Sequence, residues 1–190
     1  MPIFSVKLKH ILLSMNIEEK IKNAVRDVPN FPREGIMFKD ITPILKDVQL
    51  CKEITESFAE KIRVLNPDVI VGIESRGFLF GMLIARELNI PFVPIRKKGK
   101  LPADCYAIDY DLEYGSACIE IHKDAIKKGD RVVIHDDLLA TGGTVIGSSQ
   151  LILMTGAEVV AFSFIIGLDF LGANEKLLSY SPNIITLANY

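Results

Sequence analysis

The sequence predicts an α/β fold, a central parallel sheet flanked by helices, and two stretches carry that prediction. Asp68-Val69-Ile70-Val71-Gly72-Ile73 and Arg131-Val132-Val133-Ile134 are short, β-branched apolar runs, the pattern of strands buried on both faces. Each leads to a polar, glycine-bearing turn, Glu74-Ser75-Arg76-Gly77 in one case and residues 136–144 in the other, and each turn opens an apolar helix, 78–88 and 145–153. Parallel strands connected this way present both turns at the carboxyl edge of one sheet, where open α/β folds bind ligands.

Taken in order, 17–28 places apolar residues at 17, 21 and 25 among charges, a one-faced helix closed by Pro29 and Pro32. The Pro and Gly punctuation of 31–43 predicts an ordered loop. Positions 50, 54, 58, 62 and 65 make 47–63 a second amphipathic helix. After the first strand, turn and helix, 91–95 is a short strand running into Arg96-Lys97-Lys98-Gly99-Lys100. Residues 101–114 mix Pro, Ala, Asp, Tyr and Gly without a clean period, which predicts a mobile loop able to act as a lid. A strand follows at 117–121, and the strand at 131–134 is expected to stop at Asp136 and Asp137. Beyond the helix 145–153 come an apolar strand at 158–166, a turn at Gly167-Leu168-Asp169, a helix at 171–178 and a last strand at 184–186.

Composition narrows the class. With 190 residues, 49% of them hydrophobic, one domain with an ample core is expected. A net charge of −2 offers no global attraction to nucleic acid or to a membrane, and no apolar run approaches the ~18 residues of a bilayer span. Cys51, Cys105 and Cys118 have unrelated spacings and read as reduced thiols, so the expected location is cytoplasmic. Residues 1–14 carry too short an apolar patch for a signal peptide and are expected to be a disordered extension, leaving 15–190 as the folded domain. His10, His122 and His135 have no metal-ligand spacing and are assigned no catalytic role.

The chemistry concentrates at His135-Asp136-Asp137-Leu138-Leu139-Ala140-Thr141-Gly142-Gly143-Thr144. Two glycines let backbone N–H groups approach a ligand, two threonine hydroxyls flank them, and a helix begins beside them; together these form a phosphate cradle. Carboxylates beside a phosphate need another partner: sugar hydroxyls, a divalent cation or a cationic transition state, demands that a ribose 5-phosphate meets, with its 2′- and 3′-hydroxyls donating to the acids. On a continuing strand Asp136 and Asp137 would face opposite sides, so the chain is expected to turn there. The pattern is neither a dinucleotide fingerprint nor an NTP-binding loop, since G-x-G-x-x-G is absent and no Lys follows the glycines. Arg76 beside Gly77 suits a diphosphate, although on residues alone a surface pairing with Glu74 is slightly favoured. The cations at 96–100 would ordinarily be a solvated loop, and Phe38 an ordinary core residue.

Val133-Ile134-His135-Asp136-Asp137-Leu138-Leu139-Ala140-Thr141-Gly142-Gly143-Thr144 resembles the phosphoribosyl pyrophosphate (PRPP) signature of the type I phosphoribosyltransferases, in the form used by members that take adenine. Gly72-Ile73-Glu74-Ser75-Arg76-Gly77-Phe78 resembles their pyrophosphate loop, in which the peptide before the Ser is cis. The resemblance implies the type I phosphoribosyltransferase fold with a small N-terminal hood at about 15–45 over the carboxyl edge. It implies a purine salvage transferase that moves the 5-phosphoribosyl group from PRPP to adenine, giving AMP and pyrophosphate, with Mg²⁺ carried by PRPP rather than held directly by protein ligands.

By the same resemblance Ala140, Thr141, Gly142, Gly143 and Thr144 hold the 5-phosphate, and Asp136 and Asp137 bind the ribose and face its developing charge. Glu74, Ser75, Arg76, Arg96, Lys100 and Tyr114 meet the diphosphate, with Arg96 and Lys100 reaching a neighbour's site in a homodimer. Met37, Phe38, Lys39 and Leu168 surround adenine, and Glu113 handles a purine proton. The chain departs from the family pattern in having Lys39 where Arg is common, Glu34 where Pro is frequent, and Gly167 in place of an acid before Leu168.

Overall fold

The computed structural model describes residues 15–111 and 116–190. The expected extension over 1–14 lies outside the described residues. The chain divides into two compact units, the first running to Ile54 and the second from Thr55 to Tyr190.

In the first unit, helix α1 (Ile17–Ala24) starts at Asn16. The Asn16 side chain accepts the Glu19 N–H at 2.9 Å while Glu19 accepts the Asn16 N–H at 3.0 Å, a reciprocal cap that satisfies two helix-end donors. The helix is shorter than the 17–28 expectation. From Val25 the backbone is extended, and strand β1 (Arg26–Pro29) pairs antiparallel with β2 (Met37–Asp40), Val28 opposite Phe38. Val28 and Pro29 are poor helix formers, and pairing with β2 gives this backbone partners that a frayed helix end would not. The 31–43 segment, expected as loop, therefore contains a strand. Its Phe31–Pro32 peptide is cis, and the rings of Phe31 and Phe38 meet edge-on at 5.1 Å. Helix α2 (Val48–Arg63) follows, its first turn capped by Asp47, which accepts the Leu50 N–H at 3.0 Å.

The second unit takes up the chain within α2 and contributes β3 (Val69–Ile73), α3 (Gly77–Leu88), β4 (Phe92–Lys97), β5 (Cys105–Asp111), β6 (Ser116–His122), β7 (Arg131–Leu139), α4 (Gly143–Met154), β8 (Glu158–Gly167), α5 (Ala173–Leu177) and β9 (Ile184–Asn189). Among the described residues the strands of this unit form one sheet in the order β5-β6-β4-β3-β7-β8-β9. Strands β4, β3, β7, β8 and β9 run parallel, while β6 is antiparallel to both β4 and β5.

Strand alternation assigns the two faces. Val69, Val71 and Ile73, with Val132 and Ile134, join a core that includes Val145, Leu151 and Ile152 of α4. The intervening Gly72 and His135 face α3: the Gly81 backbone lies close against the rings of Phe92 and His135. Phe58 of α2 meets the His135 ring edge-on at 5.3 Å on that same side. Helices therefore cover both faces, as the apolar runs predict.

Two elements differ from expectation. Strand β7 does not stop at Ile134 but runs through Asp136 and Asp137 to Leu139, because β8 stays paired alongside it as far as Gly167. Residues 105–111 are a strand and not an irregular loop. Tyr106, Ile108 and Tyr110 alternate onto the core while Ala107 and Asp109 point away, a period of two partly hidden by the interspersed aspartates.

Candidate active site

The parallel strands deliver the predicted residues to one edge of the sheet. Glu74, Ser75 and Arg76 follow β3, Arg96 closes β4, 136–144 close β7, and Leu168 follows β8, its N–H bonded to the Leu139 carbonyl at 3.0 Å. The Glu74–Ser75 peptide is cis, as expected.

Arg76 joins two of these turns. Its Nε lies 3.2 Å from Asp137 Oδ2 in an ion pair, while that oxygen accepts no hydrogen bond from the described residues. Arg76 thus pairs with Asp137 rather than with Glu74. Asp137 is 1% exposed and Asp136 half-buried. Burial raises the Asp136 carboxyl well above its usual range, and the neighbouring Asp137 charge raises it further. Burial also raises Asp137, with Arg76 opposing. Contact across the turns is close: a Cβ on Gly77 would stand 2.6 Å from the His135 carbonyl oxygen and 3.1 Å from Asp136 Oδ1, so only glycine lets α3 start against β7. Behind the pair, His135 is fully buried, its Nδ1 2.9 Å from Ser163 Oγ, and burial lowers its pKa to about 3.

Within the 140–144 stretch Gly142 precedes α4, and its φ of +83° lets the chain reverse into that helix. The opening N–H groups of α4 have no intrahelical acceptor, and the helix points its positive end outward there. Thr144 Oγ1 donates to Tyr110 Oη at 3.3 Å, and the Gly147 backbone packs on the Tyr110 ring. Tyr110 was not among the predicted site residues. Its signal was the alternation of β5.

The basic segment is organised by Glu74. Its carboxylate accepts the Lys97 N–H at 2.8 Å, pairs with Arg96 Nε at 3.3 Å and pairs with the Lys100 ammonium. Burial pushes Glu74 up, but hydrogen bonds from Lys100, the Lys97 N–H and Arg96 prevail and hold it at about 2. Ser75 is exposed beside it. Glu113 and Tyr114 lie outside the described residues; the strands that flank them, β5 and β6, are described.

The hood residues lie in the first unit. Met37 is half exposed, Phe38 packs on Phe31, and the Lys39 ammonium pairs with cross-strand Asp27 at 2.7 Å. Among the described residues no cluster of three or more His, Cys, Asp or Glu could hold a metal ion.

Arg76 and the two acids thus stand at the same sheet edge as the glycine-threonine start of α4. The family model of the phosphoribosyl transferase domain matches residues 40–167, and the chain belongs to the phosphoribosyltransferase family. Several relatives that it resembles over most of its length are adenine phosphoribosyltransferases. It is 52% identical to that of Cytophaga hutchinsonii, an alignment covering 92% of this chain and 96% of the relative. The crystal structure of adenine phosphoribosyltransferase from Thermoanaerobacter pseudethanolicus superposes with a TM-score of 0.87 at 46% identity, covering 90% of this chain and 99% of that one. A Trypanosoma brucei adenine phosphoribosyltransferase in complex with AMP, pyrophosphate and ribose-5-phosphate gives a TM-score of 0.81 at 29% identity, over 91% of this chain and 79% of that one.

Proposed function

We propose that this protein is a purine salvage enzyme that transfers the 5-phosphoribosyl group from PRPP to adenine, releasing AMP and pyrophosphate. The observation that carries the reading is the Arg76–Asp137 ion pair, which ties a diphosphate-binding turn to a ribose-binding acid pair at one sheet edge. The relatives' activity and the ligands of the Trypanosoma brucei structure support it.

In this reaction the bond from ribose C1 to the diphosphate oxygen breaks, its electron pair leaving with the diphosphate, and adenine N9 forms the new bond to C1. Positive charge builds on the ribose between those events. Asp136 and Asp137 accept hydrogen bonds from the ribose hydroxyls and face that charge, the N–H groups and hydroxyls of 140–144 hold the 5-phosphate, and Arg76, Arg96 and Lys100 take the charge of the leaving group. Phe38 stacks on adenine, with Met37, Lys39 and Leu168 around it, and Glu113 accepts the purine proton. Tyr114 is assigned to the diphosphate. Mg²⁺ is the cofactor: carried in on the oxygens of PRPP, with no direct protein ligand, it would offset the charge of the departing diphosphate beside Arg76, while Asp136 and Asp137 face the ribose. The enzyme works in the cytoplasm as a homodimer, in which Arg96 and Lys100 serve the neighbour's diphosphate.

Incubation with PRPP, Mg²⁺ and each purine base in turn tests this. Adenine alone should yield AMP and pyrophosphate, and chelation of Mg²⁺ should abolish the yield. Turnover of an oxopurine would overturn the assignment of the base, and PRPP binding without turnover would overturn the enzyme.

A further inference from the structure

Glu120 is a buried carboxylate, 7% exposed, to which the mechanism above gives no task. It lies on β6 between Ile119 and Ile121, both buried in the core, and so points to the opposite face. Directly across from it on β4 is Arg96, and one strand further, just past β3, is Glu74. A row of Glu74, Arg96 and Glu120 therefore crosses neighbouring strands with alternating charge.

The two acids grip the basic segment differently. Glu74 takes the side chains of Arg96 and Lys100. Glu120 takes the backbone: its Oε1 accepts the N–H of Lys100 at 3.1 Å and that of Leu101 at 3.0 Å. The Lys100 N–H is shared with the Lys97 carbonyl at 3.3 Å, which closes the turn through Gly99 at φ +82°. The Lys100 backbone is fixed while its side chain, 48% exposed, is held only at its tip.

We propose that Glu120 is a positioning residue of the diphosphate site: it pins the backbone of the basic segment so that the Lys100 ammonium can pass from Glu74, its partner in the free protein, to the diphosphate. Glu74 stands in for the diphosphate until PRPP arrives, and Glu120 keeps the cations within reach while the exchange takes place. The proposal rests on the reading that Arg96 and Lys100 bind the diphosphate of PRPP in the neighbouring subunit. It needs an acceptor oxygen at position 120, not a charge there, since two neutral N–H groups are what it holds.

Direct binding of pyrophosphate and, separately, of ribose 5-phosphate, each with Mg²⁺, tests it in the full-length protein. Glu120→Ala should weaken pyrophosphate about tenfold, the scale of one hydrogen bond to a charged group, and leave ribose 5-phosphate unchanged. Glu120→Gln, which keeps the acceptor, should bind pyrophosphate at least as well as the wild type. Should Glu120→Ala fail to fold, Glu120→Asp, with its shorter reach, carries the same comparison. Equal weakening of both ligands, or wild-type pyrophosphate affinity in Glu120→Ala, would overturn the proposal. Lys100→Ala separates the two levels: if it binds pyrophosphate normally, the diphosphate reading itself fails. If it binds weakly while Glu120→Ala does not, only the positioning role fails.

Discussion

Asp136 and Asp137 are carboxyls that burial makes reluctant to ionise. A raised carboxyl pKa means that the free protein keeps a proton where an exposed Asp has lost it. A ligand that brings Mg²⁺ and ribose hydroxyls favours the anion, so its binding must expel that proton. PRPP with Mg²⁺ should therefore bind more tightly as pH rises towards neutrality, and calorimetry in two buffers of different ionisation enthalpy should show net proton release. His135 acts in the opposite sense, on stability. Its pKa is about 3 in the fold and about 6.5 when unfolded. Between these values only the unfolded chain takes up the proton. The stability it contributes is complete above about pH 6.5 and falls as pH drops, by at most ~1.4 kcal/mol per unit. Urea unfolding at about pH 7 and about pH 5 should show that loss in the wild type and a smaller one in His135→Phe.

At the scale of elements, the start of α3 against β7 sets the geometry of the acid pair. A methyl group at residue 77 meets a backbone carbonyl, which cannot swing aside as a side chain would. Gly77→Ala should destabilise the protein by about 1–3 kcal/mol, the usual cost of overpacking, and lower activity beyond what its melting temperature explains. The elements also show what the sequence could disclose. Strands β3 and the first half of β7 were plain because Val and Ile dominate them. The second half of β7 was not, because paired aspartates ordinarily end a strand and only the pairing with β8 carries this one onward. Val25 and Val28 continued a helical spacing that β1 overrides by pairing with β2. In the site, the turns and their residue types were legible as motifs. The partners were not: Arg76 found Asp137, Glu74 gathered Arg96 and Lys100, and Tyr110 met Thr144, all through register between distant strands.

Over the whole molecule, the residues proposed for PRPP lie in the second compact unit, and those proposed for adenine, Leu168 apart, lie in the first. Recognition of the two substrates should then be separable. Phe38→Ala should raise KM for adenine about tenfold or more, the scale of one base stacked on an aromatic ring, and leave PRPP binding as it was. The order of the sheet has a further consequence, for the chain as it emerges from the ribosome. Strand β3 can pair with β4 soon after both are made, but its other edge waits for β7, Val69 for Val132. Until then a nascent chain exposes a fully apolar strand with a bare edge, the kind of surface that recruits other chains. A chain ended at Asp130 should accumulate as aggregate where the full-length protein stays in solution, and the Arg76–Asp137 pair cannot form until synthesis has passed Asp137.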